Sequence, residues 1–165
     1  MEIKVRHVHA EDYHSVHQIM LTDRVVHGTM RLPYQSLEHT RARLEPAEGA
    51  TKLVAYSGDE VVGYSELGTY PDTPRHRHVG EIIMIVTHEA WCGKGVGRAL
   101  MTAMIDLADN WLQLTRLSII VWTSNKQAIE LYQNFGFALE GTMPGYVFCE
   151  GRYIDAHIMG RLNRV

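Results

Sequence analysis

The stretch Trp91-Cys92-Gly93-Lys94-Gly95-Val96-Gly97-Arg98-Ala99 decides how this sequence is interpreted. It places three alternating glycines between an apolar run, residues 82–86, and a long segment with helical periodicity. Glycine allows tight turns and brings backbone N–H groups close to a ligand, while a helix start adds unpaired donors and the positive end of a dipole. The stretch therefore predicts a binding site for a phosphate or diphosphate group.

Two common phosphate-binding loops do not fit this stretch. A Walker loop requires Ser or Thr after Gly-Lys, whereas Gly93-Lys94 is followed by Gly95. A dinucleotide fingerprint requires Gly or Ala at its sixth position, which is Arg98 or Leu100 here. A glycine-rich turn without a ligand is the plain alternative. Lys94 and Arg98 would add local positive charge to a chain whose net charge is −3.

The most regular predicted elements flank the loop. Downstream, apolar residues recur at helical spacing from Val96 to Trp111 and predict a helix. Upstream, the unbroken apolar row within residues 78–87 predicts a strand buried on both faces at the centre of a sheet.

The remaining chain alternates between strand and helix patterns. Residues 25–45, interrupted by Gly28 and Pro33, predict an irregular flap on the substrate side that includes a helix capped by Ser36 and ending near Pro46. Further strands are predicted at 2–8, 53–56, 61–67, 117–122, 137–139 and 153–159, and further helices at 11–20 and around 128–132. Together these elements predict one mixed α/β domain over residues 1–165.

Composition excludes several classes of protein. With a net charge of −3 and a pI near 6.3, the chain lacks the overall positive charge with which proteins bind the phosphates of nucleic acids. The longest apolar run is far below the roughly 20 residues that span a bilayer, and there is no signal-peptide pattern, so we expect a cytoplasmic protein without a membrane partner. Neither the two cysteines nor the histidines of His7-Val8-His9 and Arg75-His76-Arg77-His78 have the spacing of a zinc site, and we expect no metal.

The loop resembles the pyrophosphate loop of the GCN5-related N-acetyltransferase superfamily. The pattern Gln/Arg-x-x-Gly-x-Gly/Ala is matched by residues 92–97, with cysteine at the first position. A second match, to Asn-x-x-Ala-x-x-x-Tyr followed by Gly-Phe, begins at Asn125 and ends at Gly136-Phe137. The resemblance spans residues 3–162, and the tail with Glu140-Gly141-Thr142 and Gly151–Asp155 is similar to a bacterial branch acting on amino acids and phosphinothricin.

This resemblance implies a fold and an activity. The fold would have a central, mostly antiparallel twisted sheet of six to seven strands, about four flanking helices and splayed central strands 4 and 5. The activity would be direct transfer of acetyl from acetyl-CoA to a primary amine of a small molecule, with a free amino acid or analogue as the first expectation. Protein N-termini and polyamines are alternative acceptors, and a non-catalytic acyl-CoA sensor is the alternative of another class. A homodimer through the last strands is compatible with the pattern.

The resemblance also implies roles for three side chains. Glu81 would be the general base, or else a solvated or paired carboxylate. Tyr132 would protonate the departing CoA thiolate, or else be a core tyrosine. Asn125 would bind the pantetheine arm, or else cap a helix.

Backbone groups would make the other cofactor contacts. The main chain of Ile85, Val86 and Thr87 would bind pantetheine and polarise the thioester. The loop of Cys92, Gly93, Lys94, Gly95, Val96, Gly97 and Arg98 would bind the diphosphate. In the flap, Arg31 and Arg41 would bind a substrate carboxylate, since guanidinium groups match carboxylates in geometry and charge.

Overall fold

The computed structural model describes residues 2–163, which form a seven-stranded sheet flanked by helices. The strands are β1 (Lys4–His7), β2 (Ala50–Ser57), β3 (Glu60–Thr69), β4 (Val79–Thr87), β5 (Arg116–Trp122), β6 (Ala138–Cys149) and β7 (Arg152–Leu162). The α-helices are α1 (Tyr13–Met20), α2 (Asp23–Gly28), α3 (Leu37–Leu44), α4 (Val96–Asp106) and α5 (Lys126–Asn134). Short 3-10 turns lie at Ala10–Asp12 and Glu89–Trp91, and a π-helical turn at Leu107–Trp111 extends α4.

The sheet has the order β1-β2-β3-β4-β5-β7-β6. Every neighbouring pair is antiparallel except β4 and β5, which are parallel and joined through α4. The predicted mixed α/β fold, with a mostly antiparallel sheet, is confirmed. None of the helices in residues 2–163 is long and apolar enough to cross a bilayer.

Helices α4 and α5 pack on one face of the sheet, and α1 and α3 pack on the other. On the first face the α4 side chains Leu100, Met101 and Met104 are fully buried against strand residues such as Leu117. The second face has a separate core around α1. The sheet is thus covered on both sides by helices.

Strand β4 has buried side chains on both faces, as predicted, but its apolar row contains one exposed residue. Ile83 is 47% exposed, and a register shift against β3 leaves it as an extra residue between Ile82 and Met84. A bulge of this kind bends the strand and changes which face the following side chains occupy. Accordingly, Ile82 belongs to the core beneath α4, whereas Met84 belongs to the core beneath α1.

Two segments are more regular than the sequence predicted. Residues 23–28, which overlap the start of the predicted irregular flap, form α2; with six residues and only Val25 buried, this helix is too short to show an apolar period. Strand β6 extends well beyond 137–139, because Gly141 and Pro144 lie at register shifts rather than at strand ends, and β7 extends beyond 153–159 to Leu162.

The predicted helix over 96–111 also needs a correction at its end. The α-helical part ends at Asp106, and Trp111, the last residue of the predicted apolar period, is 74% exposed. The π-helical turn changes the angular position of the last residues, so the helical period no longer predicts which face they occupy.

Candidate active site

The parallel strands β4 and β5 separate in the middle of the sheet. Their pairing ends at Ile82 and Ile119. Beyond this point β4 stays paired with β3 as far as Thr87, whereas β5 stays paired with β7 as far as Trp122. The predicted splay is confirmed, and the backbone edge of β4 from Ile83 to Thr87 has no strand partner on the β5 side.

A cavity of about 360 Å³, which we call the loop cavity, lies on the side of this gap nearest the glycine-rich loop. It is bounded by the end of β4, the loop, the first turn of α4, α5 and α2. All the residues predicted to bind the cofactor except Lys94 line this cavity: Ile85, Val86, Thr87, Cys92, Gly93, Gly95, Val96, Gly97, Arg98, Asn125 and Tyr132.

The loop presents free backbone donors to this cavity. Gly93 and Gly95 have φ angles of +75° and +89°, and Gly95 is the N-cap of α4. Within residues 2–163 we find no backbone acceptor for the N–H groups of Gly93, Gly95, Val96, Gly97 and Arg98. Left-handed φ angles are available to glycine at little cost, and several convergent N–H groups at a helix start attract an anion.

The third glycine of the loop has a different role. A Cβ atom on Gly97 would lie 3.2 Å from Leu131 Cδ2, so glycine at this position lets α4 approach α5 closely. The two cations of the loop also differ: the Arg98 side chain lies by Phe135 and borders the cavity, whereas Lys94 Nζ lies 5.2 Å from the centre of the Trp91 ring. The Lys94 side chain is not part of the cavity wall.

Two of the predicted site residues, Asn125 just before α5 and Tyr132 within it, border the loop cavity. Asn125 Oδ1 accepts a hydrogen bond of 3.2 Å from the Ala128 amide, so Asn125 caps the helix while also bordering the cavity. Tyr132 is only 5% exposed, and burial raises the pKa of its phenol above the ordinary value. Its hydroxyl therefore stays protonated and able to donate at physiological pH.

A second cavity, of about 460 Å³, lies across the gap and is called here the arginine cavity. Its charged wall residues are Arg31, Arg43 and Glu81. It shares with the loop cavity the residues Gly28, Thr29, Ile85, Ile120 and Tyr132. The two cavities therefore meet at the point where β4 and β5 separate, with Tyr132 between them.

Glu81 is a half-buried residue on the wall of the arginine cavity. Tyr70 donates a hydrogen bond of 3.1 Å from its hydroxyl to Glu81 Oε2. Burial, and in second place this contact with Glu81, raises the pKa of the Tyr70 phenol. Since Tyr70 occupies one carboxylate oxygen of Glu81, the other oxygen is available to accept a proton or a hydrogen bond.

Arg31 is the most unusual charge in the arginine cavity. It is 7% exposed, and all three guanidinium nitrogens are buried without a hydrogen-bond partner in the described chain. Burial, and then the charge of Arg43, lowers the pKa of Arg31 below its ordinary value. Arg43 itself is paired with Glu66 at 3.0 Å, which leaves Arg31 as the uncompensated cation.

Arg41, the second arginine predicted to bind a substrate carboxylate, does not lie in this cavity. Its side chain is exposed, pairs with Glu38 at 3.9 Å and lies over the ring of Tyr13. It borders a separate cavity near β1. The prediction that Arg41 lies with Arg31 and Glu81 at the substrate carboxylate was therefore wrong. Arg43, two residues further along α3, borders the arginine cavity instead.

Several wall residues were not predicted. Gln35, Trp122 and Tyr146 border the arginine cavity. Trp122 donates a hydrogen bond of 2.7 Å from Nε1 to the His27 carbonyl and thereby holds the end of α2. A tryptophan at the end of the β5 pattern was a usable signal, whereas Tyr146 follows Pro144-Gly145 and looked like part of a loop.

The sequence comparison identifies the family. The Acetyltransferase (GNAT) family matches residues 13–137, which include the loop, the gap between the strands and Tyr132. This chain belongs to that family. It is an N-acetyltransferase that uses acetyl-CoA as its cosubstrate, as the resemblance of the glycine-rich loop and of the segment from Asn125 to Phe137 implied.

Individual relatives extend this result. The chain is 35% identical over 161 residues to the L-amino acid N-acetyltransferase AaaT of Escherichia coli (strain K12), with 98% of each chain covered. It is 25% identical over 157 residues to the spermidine N(1)-acetyltransferase of the same organism, covering 93% of this chain and 82% of the relative. The structure of yncA from Salmonella typhimurium with its cofactor acetyl-CoA has a TM-score of 0.82 at 22% identity, covering 98% of this chain and 94% of yncA.

The cofactor that the family implies fits the loop cavity. Its diphosphate matches the free N–H groups at residues 93–98, and its pantetheine arm matches the unpaired backbone edge of β4. Among residues 2–163 there is no group of three His, Cys, Asp or Glu side chains arranged to hold a metal ion.

Proposed function

We propose that this enzyme acetylates the amino group of a free amino acid or a close analogue, whose carboxylate binds Arg31. The observation that carries the proposal is the buried, unpaired guanidinium of Arg31 in the arginine cavity. A buried charge without a partner costs several kcal/mol, roughly 3–5 kcal/mol when a partner is removed from a pair. A substrate carboxylate would offset this cost with two parallel hydrogen bonds.

The arrangement of charges suits a zwitterion. Arg31 and Glu81 line the same cavity, and Tyr132 lies where this cavity meets the loop cavity. An amino acid that places its carboxylate on Arg31 can direct its amino group towards Glu81 and the gap between β4 and β5. There it would meet a thioester held along Ile85–Thr87.

The chemistry follows from these positions. The amine attacks only as the free base, so Glu81 accepts its proton, directly or through a water molecule. Backbone N–H groups near Ile85 stabilise the oxyanion of the tetrahedral intermediate. Tyr132 donates a proton to the leaving thiolate of CoA, and no acyl-enzyme is formed.

The acceptor's own side chain would face apolar surroundings. Ile83, Trp122 and Tyr146 contribute to the wall, and Ile83 is exposed because of the bulge in β4. We therefore propose that apolar side chains are preferred over charged ones, since a charged group beside these residues would lose hydration without gaining a partner.

Charge also argues against a polyamine acceptor. A polyamine carries several positive charges and would meet Arg31 and Arg43, while Glu66 is already paired with Arg43 and with the Tyr64 hydroxyl. Like charges in a partly desolvated cavity reject a ligand.

A panel of matched acceptors tests the proposal. An L-amino acid with an apolar side chain, its carboxamide and spermidine would be compared by release of CoA thiol, with mass spectrometry of each product. The amino acid should exceed the carboxamide in kcat/KM by at least about tenfold, since the amide loses the charged partner of Arg31. Equal rates for both, or a preference for spermidine, would contradict the proposal, and no turnover with any amine despite tight acetyl-CoA binding would favour a sensor.

We retain a homodimer through the last strands as a proposal. Support comes from the β6–β7 hairpin, where Phe148 and Tyr153 are 63% and 74% exposed and lie in contact with each other. Sedimentation of the purified protein should give twice the monomer mass, and a monomer at all concentrations would contradict this. The cytoplasmic location stays a prediction from composition.

A further inference from the structure

Arg24, on α2, joins two walls of the loop cavity. Its guanidinium contacts Cys92 Sγ in the glycine-rich loop and donates a hydrogen bond of 3.0 Å to Gln127 Oε1 on α5. All three residues border the loop cavity. Arg24 lies 68 positions from Cys92 and 103 from Gln127 in the sequence, so no local motif predicts this contact.

Neither partner of Arg24 is a carboxylate. A thiol is a weak hydrogen-bonding group and a side-chain amide carries no charge. Within residues 2–163 the guanidinium forms no ion pair with a carboxylate. No carboxylate therefore compensates its positive charge, which lies beside the glycine-rich loop.

Helix α2 is also fixed at its other end. Trp122 donates a hydrogen bond to the His27 carbonyl, and His27 Nε2 lies 3.0 Å from a Glu150 carboxylate oxygen. Contacts at both ends limit the movement of the short helix. Arg24 is thus held near the loop before any ligand binds, which lowers the entropy cost of using it for binding.

We propose that Arg24 binds the diphosphate of acetyl-CoA, with Cys92 and Gln127 positioning the guanidinium. A guanidinium has the planar, two-pronged geometry that matches phosphate oxygens. The cavity wall offers Arg24 and Arg98 for this purpose, since the Lys94 side chain lies on the Trp91 ring. The diphosphate would thus be bound by backbone N–H groups from one side and by a cation from a separate helix on the other. The proposal concerns the cofactor and does not depend on which amine is the acceptor.

Calorimetric titration of three ligands into the wild-type protein, Arg24→Ala and Lys126→Ala tests this assignment. The ligands are coenzyme A, 3′-dephospho-coenzyme A and pantetheine, which differ in the phosphate groups they carry. Lys126→Ala is the matched control, because it removes one positive charge from the start of α5 at an exposed residue beside Gln127 that does not border the cavity. Thermal melting without ligand checks that each variant is folded.

Arg24→Ala should raise the Kd of coenzyme A by about ten- to a hundredfold, as for loss of a charged hydrogen bond. The same loss should persist with 3′-dephospho-coenzyme A and vanish with pantetheine, while Lys126→Ala should change each Kd less than about threefold. A loss that disappears with 3′-dephospho-coenzyme A would assign Arg24 to the 3′-phosphate and overturn the proposal. An equal loss with pantetheine, or no loss at all, would overturn it too. If Arg24→Ala does not fold, Arg24→Gln removes the charge while keeping a hydrogen-bonding side chain for the same comparison.

Discussion

The loop cavity and the arginine cavity meet at the gap between β4 and β5 but are built from different parts of the chain. The loop cavity relies on backbone N–H groups from one continuous stretch, residues 93–98, at the start of α4. The arginine cavity relies on side chains that are distant in sequence, such as Arg31, Glu81 and Tyr146. A site formed by the backbone groups of one segment can be predicted from a local sequence motif. A site formed by side chains from distant segments depends on the whole fold.

Removing the Arg31 guanidinium should have the largest effect. Arg31→Ala is expected to lower kcat/KM for an amino acid by about a hundredfold or more, since the carboxylate loses a buried ionic partner. The KM for acetyl-CoA should barely change, because the arginine cavity is separate from the diphosphate site. Steady-state kinetics with both substrates would measure this.

Arg41→Ala is the matched control for that experiment. It removes the same kind of side chain from the flap, but Arg41 is exposed and borders a different cavity. Its kinetic constants should stay within about threefold of the wild type, as for an exposed charge. If both variants lost activity equally, the assignment of the carboxylate to Arg31 would be wrong.

Tyr132 lies where the two cavities meet, so its replacement should affect the chemical step more than either binding step. Tyr132→Phe is expected to lower kcat by roughly a hundredfold, as for loss of a general acid. The Kd of acetyl-CoA should change little, because the aromatic ring still fills its place in the core. Tyr13→Phe, outside both cavities, should behave as the wild type. Unchanged turnover in Tyr132→Phe would mean that water supplies the proton.

A backbone change should weaken the loop cavity alone. Gly95→Ala forces alanine into a left-handed conformation at about 1–2 kcal/mol, so the Kd of acetyl-CoA should rise by up to roughly tenfold. The preference among acceptors should be unaltered. Gly58, at φ +58° in the β2–β3 turn, also has open space for a Cβ atom. Gly58→Ala should therefore cost similar stability but keep the wild-type Kd, and an equal loss of binding in both variants would contradict a specific role for the loop.

The smallest expected effect concerns pH. Burial raises the pKa of Tyr132, so its hydroxyl keeps its proton when the pH rises towards the ordinary tyrosine value of about 10. The kcat/KM profile should rise as the acceptor amine loses its proton and then level off. A decline between about pH 8 and 9 that disappears in Tyr132→Phe would show that the phenol titrates in this range and would contradict the effect of burial.

The contrast between the cavities explains what the sequence could predict. The loop and the central strand were predicted correctly, because glycine spacing and apolar runs are local signals, whereas the separation of β4 from β5 was implied only by the family resemblance. The bulge at Ile83 was missed, since five apolar residues in a row do not reveal which one is extra. The full length of β6 was also missed, since Gly141 and Pro144 lie at irregularities within this strand rather than at its ends.

The arginine cavity was predicted only in part. Arg31 and Arg41 were both predicted from the charges of the flap, and a helix as polar as α3 shows too little periodicity for the sequence to distinguish Arg41 from Arg43. The buried residues Thr40 and Leu44 show that the inner face of α3 points towards α1 and the sheet, which could not be read from the sequence. Arg24 had no signal at all, because its partners are far away along the chain.

A crystal structure of the protein with coenzyme A and an apolar L-amino acid, a complex that cannot react, would test the central claim most directly. We predict that the diphosphate lies on the N–H groups of residues 93–98 and that the carboxylate of the amino acid lies within hydrogen-bonding distance of Arg31. The amino group should point towards Glu81 and the thiol of the cofactor. An amino acid bound elsewhere, or bound with its carboxylate away from Arg31, would contradict the account.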